Sequence, residues 1–326
     1  MIIAKTPLRI SFFGGGTDFP EFFGEHGGAV LGTAIDKHIY HSVTRFPSEL
    51  FDYSIRLAYR RVECVRSLAE IEHRPFQEIL RYFEIERDVE IGLTADLPSF
   101  SGLGSSSSFT VGLINALSAY TRKFIPKQDL ARLAIHVERD VLSETVGWQD
   151  QIFAAYGGIN LIEFARDGNF TVHRVALPKS RQLELDQSLL LFFTGITRRA
   201  SDVEKNKIRN LAAIRANLLR MHQMVEKAHD LLTGSGPLSE FGALLDETWQ
   251  EKKLLDPGVS NPAIDQMYTL GMCAGALGGK LLGAGGGGFM AFFVPPERQA
   301  SVRAALKGYY EIDFTINASG SSIVHS

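Results

Sequence analysis

The sequence predicts a mixed α+β chain of two domains that share a cleft. Its 326 residues exceed the length at which a single hydrophobic core is usual. Strand-like and helix-like segments are intermixed through the first half, and no internal repeat of fixed period interrupts them. An apolar fraction of 45% against 22% charged residues is that of an ordinary soluble protein.

Residues 2–13 and 34–46 read as strands, the second through its alternation of apolar and polar positions. Val89, Ile91, Leu93 and Ala95 alternate with polar residues and Gly, as in a half-buried strand. After a loop, residues 109–117 form a mostly apolar helix, and a second helix is predicted over 127–142. Gly157 and Gly158 punctuate the chain before two further strands, at 159–164 and 170–177. The apolar run 188–194 opens the second half as a buried strand. From 208 to 232, Leu211, Ile214, Leu218, Met221, Val225, Ala228 and Leu232 recur at alternating spacings of three and four, which makes a long amphipathic helix. His222 and His229 on that helix have no carboxylate or Cys placed beside them and read as rim residues. The chain then returns to strand after the run Gly283-Ala284-Gly285-Gly286-Gly287-Gly288.

Charge narrows the partners. A formal net charge of −3, with no basic tail or run, argues against nucleic acid or an anionic membrane. A small anionic ligand needs only a few local cations and stays compatible. Cys64 and Cys273 are the two cysteines, far apart and outside any metal-ligand spacing, so they are expected as buried thiols. The N-terminal stretch Met1-Ile2-Ile3-Ala4-Lys5-Thr6-Pro7 lacks a charged region before a long apolar core, and no 18-residue apolar span occurs later. A reducing cytoplasm fits best, and a homodimer is compatible.

The loop at 97–108, Leu97-Pro98-Ser99-Phe100-Ser101-Gly102-Leu103-Gly104-Ser105-Ser106-Ser107-Ser108, joins the strand ending at Ala95 to the helix that follows. Its serines fall on a first helical turn, where backbone N–H groups lack intrahelical partners and the macrodipole is positive. Gly102 and Gly104 allow close approach of a ligand, and the hydroxyls add donors or a metal ligand, so a polyphosphate is the natural guest. No G-x-x-x-x-G-K-[ST] string occurs. A Ser-capped helix after a Gly turn is the alternative. The run Gly283 to Gly288 formally satisfies G-x-G-x-x-G, but an apolar, aromatic stretch ended by Pro295-Pro296 follows it where a dinucleotide fold needs a helix. These glycines instead suit a loop whose bare N–H groups line a cleft.

Three segments together resemble the GHMP small-molecule kinase superfamily: Pro7-Leu8-Arg9-Ile10-Ser11-Phe12-Phe13-Gly14-Gly15-Gly16-Thr17-Asp18, the Ser-rich loop, and Lys280-Leu281-Leu282 followed by Gly283 to Gly288 and Phe289. The Gly14-Gly15-Gly16-Thr17-Asp18 form, with Ala34-Ile35-Asp36-Lys37-His38-Ile39-Tyr40 and Thr194-Gly195-Ile196-Thr197-Arg198, resembles the heptose 7-phosphate kinase subgroup, close to fucose kinases. The resemblance implies a domain like ribosomal protein S5 domain 2 over 1–185 and a ferredoxin-like domain over 186–326, with ATP and a sugar or sugar phosphate between them. It implies phosphorylation of an anomeric hydroxyl, either of a heptose 7-phosphate or of a free sugar of the fucose or galactose type. A non-catalytic sugar and nucleotide sensor on the same scaffold is the alternative from another class.

Residue roles follow from the same resemblance. Ser101, Gly102, Leu103, Gly104, Ser105, Ser106, Ser107 and Ser108 would cradle the ATP phosphates, with Mg2+ held by Ser106 and Glu138. Asp150 in Gly147-Trp148-Gln149-Asp150-Gln151 would be the base, and Arg9 its cationic partner; a helix cap at Asp150 and a surface ion pair at Arg9 are the plainer alternatives. Glu138 alone would read as a solvated helix carboxylate. Gly15, Gly16, Thr17, Asp18, Gly285 and Gly286 would line the sugar site, although Asp18-Phe19-Pro20-Glu21 also approaches a capping box. Lys37, Arg198, Arg199 and Lys280 are candidate cations for a substrate phosphate, Arg198 first.

Overall fold

The computed structural model describes residues 1–99, 101–197 and 201–326, with the backbone alone for 201–203. Two sheets organise the chain. The first is built on β1 (Ile2–Phe13) and β2 (Gly28–Arg45), antiparallel partners joined through α1 (Pro20–His26). The 18-residue β2 serves two further neighbours. Its second half pairs with β5 (Val89–Ala95) and its first half with β6 (Ile159–Phe164). β3 (Ile55–Ala58) runs parallel to β5 and carries β4 (Val62–Val65), while β7 (Phe170–Arg174) extends from β6. The helices of this half are α2 (Arg74–Tyr82), α3 (Ser105–Tyr120), α4 (Lys127–His136) and α5 (Gln149–Tyr156). α3 lies against β1 and β2 so closely that a β-carbon on its Gly112 would come within 2.7 Å of His41 Nδ1 and Thr6 Oγ1.

α6 (Lys179–Gln187) leads into the second sheet, which comprises β8 (Leu189–Phe193), β9 (Gly278–Leu281), β10 (Phe289–Phe293) and β11 (Tyr310–Ile312). α7 (Ser201–Arg209), α8 (Leu211–Thr233), α9 (Ser239–Lys253) and α10 (Pro262–Cys273) separate its first two strands, and α11 (Gln299–Ala305) separates its last two. The antiparallel order β11-β8-β10-β9 is the split arrangement of a ferredoxin-like unit. The tail then leaves that unit. β12 (Ser322–His325) pairs with β1, and the Ser321 hydroxyl lies 2.8 Å from that of Thr6, so the end of the 186–326 stretch belongs to the first sheet.

The two halves share apolar packing. Phe241 of α9 meets Phe12 and Phe13 of β1 edge-on, with ring centroids 5.5 and 5.0 Å apart. The long amphipathic helix forms as α8, burying Ile214, Leu218, Met221, Val225, Ala228 and Leu232; a break at Asn210 makes residues before it a separate helix. The helix predicted over 127–142 stays α-helical to His136 and widens into a π-turn over Val137–Val141. Both cysteines are exposed, contrary to expectation. Cys64 takes an outward position on β4, between buried Glu63 and Val65, and Cys273 is the last residue of α10.

Candidate active site

β1 carries Arg9 into the interior, where the side chain is 5% exposed and grips Asp150 through two parallel bonds. Nε donates to Oδ1 at 2.8 Å and Nη2 to Oδ2 at 2.7 Å, while Nη1 donates to Gly102 O at 2.6 Å. This bidentate geometry fixes the carboxylate in plane and position. Asp150 lies inside the first turn of α5, whose cap position is Trp148, so it is not a capping residue. Arg9 is not a surface ion pair either.

That first turn of α5 is the hub of the site. Gln149 N donates to Asp18 Oδ2 at 3.2 Å, Asp150 faces Arg9, and Gln151 Nε2 donates to Glu138 Oε2 at 2.5 Å. Asp18 also accepts from Gly16 N at 2.9 Å, and a β-carbon on Gly147 would overlap its carboxylate. It does not cap α1, which starts at Pro20 behind Phe19. Burial pushes the Asp18 carboxyl up to about 6 against the opposing Gly16 bond, and the Asp150 charge adds to the rise. A β-carbon on Gly15 would sit in ordinary contact, 3.6 Å from both Gln149 Nε2 and Ser11 Oγ. The Thr17 hydroxyl, by contrast, is occupied by Gly14 O and Ala29 O, both at 2.8 Å, and shapes the turn.

The Ser-rich loop opens α3 as expected. Gly104 sits at the helix entry with φ +76, where a β-carbon would meet Arg9 Cγ at 3.2 Å. The N–H groups of Ser105, Ser106 and Ser107 find no acceptor among the described residues, and the first of them that does is Ser108 N, which bonds Gly104 O. Ser107 Oγ, not Ser106 Oγ, bonds Glu138 Oε2, at 2.9 Å; Ser106 is exposed, and the Ser108 hydroxyl is tied to Pro7 O. Glu138 lies in the π-turn, 1% exposed rather than solvated. Burial raises its carboxyl to about 7, and its Oε1 has no partner among the described residues. Hard oxygens with one atom to spare at a phosphate loop are a donor set that fits magnesium, which keeps several waters and needs few protein ligands.

The Gly283 to Gly288 loop closes on the Ser-rich loop from the second sheet. A β-carbon on Gly283 would stand 2.6 Å from Gly102 Cα, and Phe289 N donates to Ser101 O at 3.1 Å. Gly286 N bonds Val259 O, and Gly285 packs against the same residue. Lys280 is buried and reaches Phe12 O at 2.7 Å; burial, with Arg9 and Lys207 near, lowers its ammonium to about 7. Lys37 lies in a register shift of β2 beside Asp36, outside these contacts. Arg198 and Arg199 fall outside the described residues. Sequence reasoning placed Ser107 in the phosphate cradle but not beside Glu138, and it missed Gln151, Lys207 and Lys252. For Lys252 a signal was present: it falls in step with the buried stripe Phe241, Leu244, Leu245, Thr248 and Trp249 of α9.

Free helix-terminal N–H groups beside an arginine-held aspartate suit a phosphate donor and a hydroxyl acceptor, which are the requirements of a phosphotransferase. The chain belongs to the GHMP kinase family: residues 64–158 match the GHMP kinases N terminal domain and residues 212–312 the GHMP kinases C terminal. It is 30% identical to the D-glycero-alpha-D-manno-heptose 7-phosphate kinase of Campylobacter jejuni, over 98% of this chain and 97% of that one. A crystal structure of a D-glycero-D-manno-heptose 1-phosphate kinase from Bacteriodes thetaiotaomicron superposes with a TM-score of 0.81 at 25% identity, covering 100% of this chain and 99% of that one. The L-fucokinase/L-fucose-1-P guanylyltransferase of Bacteroides fragilis is 26% identical over 93% of this chain, which spans 35% of its length.

Proposed function

We propose that this kinase transfers the terminal phosphoryl group of ATP to the anomeric hydroxyl of D-glycero-D-manno-heptose 7-phosphate, giving the 1,7-bisphosphate. The observation that carries the chemistry is the Arg9–Asp150 pair beside the free N-terminus of α3. The sugar comes from the full-length likeness to the Campylobacter jejuni enzyme.

Asp150 accepts the proton of the attacking hydroxyl as the sugar oxygen bonds to phosphorus and the bond to the departing ADP breaks. A carboxylate has about four lone-pair sites, so two bonds to Arg9 leave room for that proton. Arg9 holds the base and places a permanent charge beside the transferred group. Asp18, with Gly15 and Gly16, offers acceptors and space for sugar hydroxyls. The first turn of α3 takes the nucleotide phosphates. Glu138 and a first-turn hydroxyl would hold magnesium, which when bound neutralises the phosphate oxygens. We place the first domain at 1–185 together with the returning β12, and the second between them.

A panel of heptose 7-phosphate, heptose 1-phosphate, L-fucose and galactose, read by ADP release, tests the acceptor. Turnover confined to the 7-phosphate is expected. Preference for a free sugar would favour the fucokinase-like reading, which the Bacteroides fragilis relative supports. No turnover of any member would leave the sensor.

A further inference from the structure

The Gly-rich loop between β9 and β10 is gripped by lysines carried on separate helices. Lys252 of α9 donates to Leu281 O at 2.7 Å and to Gly283 O at 2.6 Å, and Lys207 of α7 donates to Ala284 O at 2.9 Å. Lys280 lies near, with Arg9, and all three lysines are buried. Among the described residues only Lys207 has a carboxylate within ion-pair distance, Glu204 at 3.1 Å. Burial, with Lys280 and Lys207 near, lowers the Lys252 ammonium well below its ordinary value, and groups crowded in this way stay charged where something negative completes the set.

The carbonyls turned toward the lysines leave the other edge of the same peptides open. A trans peptide directs its N–H opposite its C=O, so the N–H groups of Ala284 and Gly285 point away from Lys252 and Lys207. Neither these nor the Gly283 N–H has an acceptor among the described residues, while Leu282, Gly286 and Gly288 donate to Phe289 O, Val259 O and Ile196 O. Ala284 and Gly285 are buried, and buried N–H groups are seldom left unpaired. The open stretch abuts the Ser-rich loop at Gly102, across from the α3 N-terminus.

We propose that Lys252 and Lys207 are positioning residues that hold the Gly283-Ala284-Gly285 backbone as an anion cradle for the terminal phosphoryl group of the nucleotide. The inference rests on the kinase reading above. Each ammonium polarises the peptide it grips and strengthens the N–H on its far side, so the lysines act without touching the anion. The donor's last phosphate is then held from both halves of the molecule.

Calorimetric binding of ADP and of the β,γ-imido analogue of ATP to wild type, Lys252→Met, Lys252→Arg and Lys207→Met tests this without any sugar. In Lys252→Met, ADP affinity is expected to stay within about threefold of wild type while the analogue loses about tenfold, the scale of a charged hydrogen bond. Lys207→Met should lose preference in the same direction, and Lys252→Arg should keep more of it than the Met variant. The KM for the acceptor sugar should stay within about threefold, because uniform loss of binding is not expected there. Parallel weakening of ADP and analogue would make the lysines merely structural and overturn the proposal. So would a raised acceptor KM with nucleotide preference intact, which would assign the cradle to the sugar's own phosphate. If Lys252→Met does not fold, Lys207→Met decides alone. A wild-type protein that binds neither nucleotide would sink the kinase reading and the cradle with it, whereas an unexpected sugar preference touches only the acceptor assignment.

Discussion

A carboxylate held by both oxygens to one guanidinium keeps its orientation when the proton it is meant to accept arrives. In the proposed mechanism this is why Asp150 and Arg9 act as one unit, and why the conservative change at the aspartate is informative. Asp150→Asn should lower kcat by about 10²–10⁴ with the fold retained, the range of a lost general base. A folded variant with wild-type kcat would remove Asp150 from the chemistry. Glu138 makes a separate claim, since its Oε1 is buried with no hydrogen-bond partner among the described residues. Glu138→Gln should raise the magnesium concentration for half-maximal activity by about tenfold or more, as loss of a metal ligand requires; an unchanged magnesium titration would place the ion elsewhere. Arg9, Asp18, Glu138 and Asp150 were singled out in the sequence through the strings that carry the family resemblance, and the first turn of α5 brings all four together. Which serine meets Glu138 was not legible. The left-handed Gly104 sets the phase of the first turn, and a shift of one residue turns the hydroxyl by about 100°.

At the scale of elements, periodicity carried α8, which has one stripe in the core, while β1 and β6 were legible as largely apolar runs because most of their residues are buried. Periodicity did not carry α7, α9 and α10 between β8 and β9, whose packing depends on residues far away in sequence. The α3–β2 contact is another case. His41 on β2 is fully buried against Phe109 and Gly112 of α3, and neither ring nitrogen has a partner among the described residues. Burial lowers its imidazole to about 3. A histidine whose folded value is depressed adds stability that is present above the usual 6.5 and lost as pH falls toward 3, about 5 kcal/mol at most. His41→Leu should therefore flatten the acid side of the stability profile by about 1.4 kcal/mol per pH unit between pH 6 and 4. Denaturant unfolding at those two values reads it. Equal slopes in variant and wild type would mean that His41 is protonated in the folded protein.

At the scale of the whole molecule, the site exists only because two glycine loops from different sheets meet backbone to backbone. Gly283 has φ +70, and a β-carbon there would stand 2.6 Å from Gly102 Cα and 3.0 Å from Gly102 O. Backbone cannot swing aside as a side chain can, so the Ser-rich loop would have to withdraw from the second domain. Gly168 provides the control, because its φ is +81 and nothing among the described residues lies within 4 Å of an added β-carbon. Both Gly→Ala changes impose left-handed strain of about 1–2 kcal/mol. Only Gly283→Ala also separates the loops that the proposed cradle places on the transferred phosphate. Gly168→Ala should thus lower the melting temperature modestly at unchanged kcat, while Gly283→Ala should lose at least about tenfold in kcat as well, because a displacement near 1 Å at such a site is enough to do so. Thermal melts and steady-state rates on the two variants decide the matter. Equal rates would mean that the contact serves stability alone, and that the second domain contributes to the fold of the cleft without contributing to its chemistry.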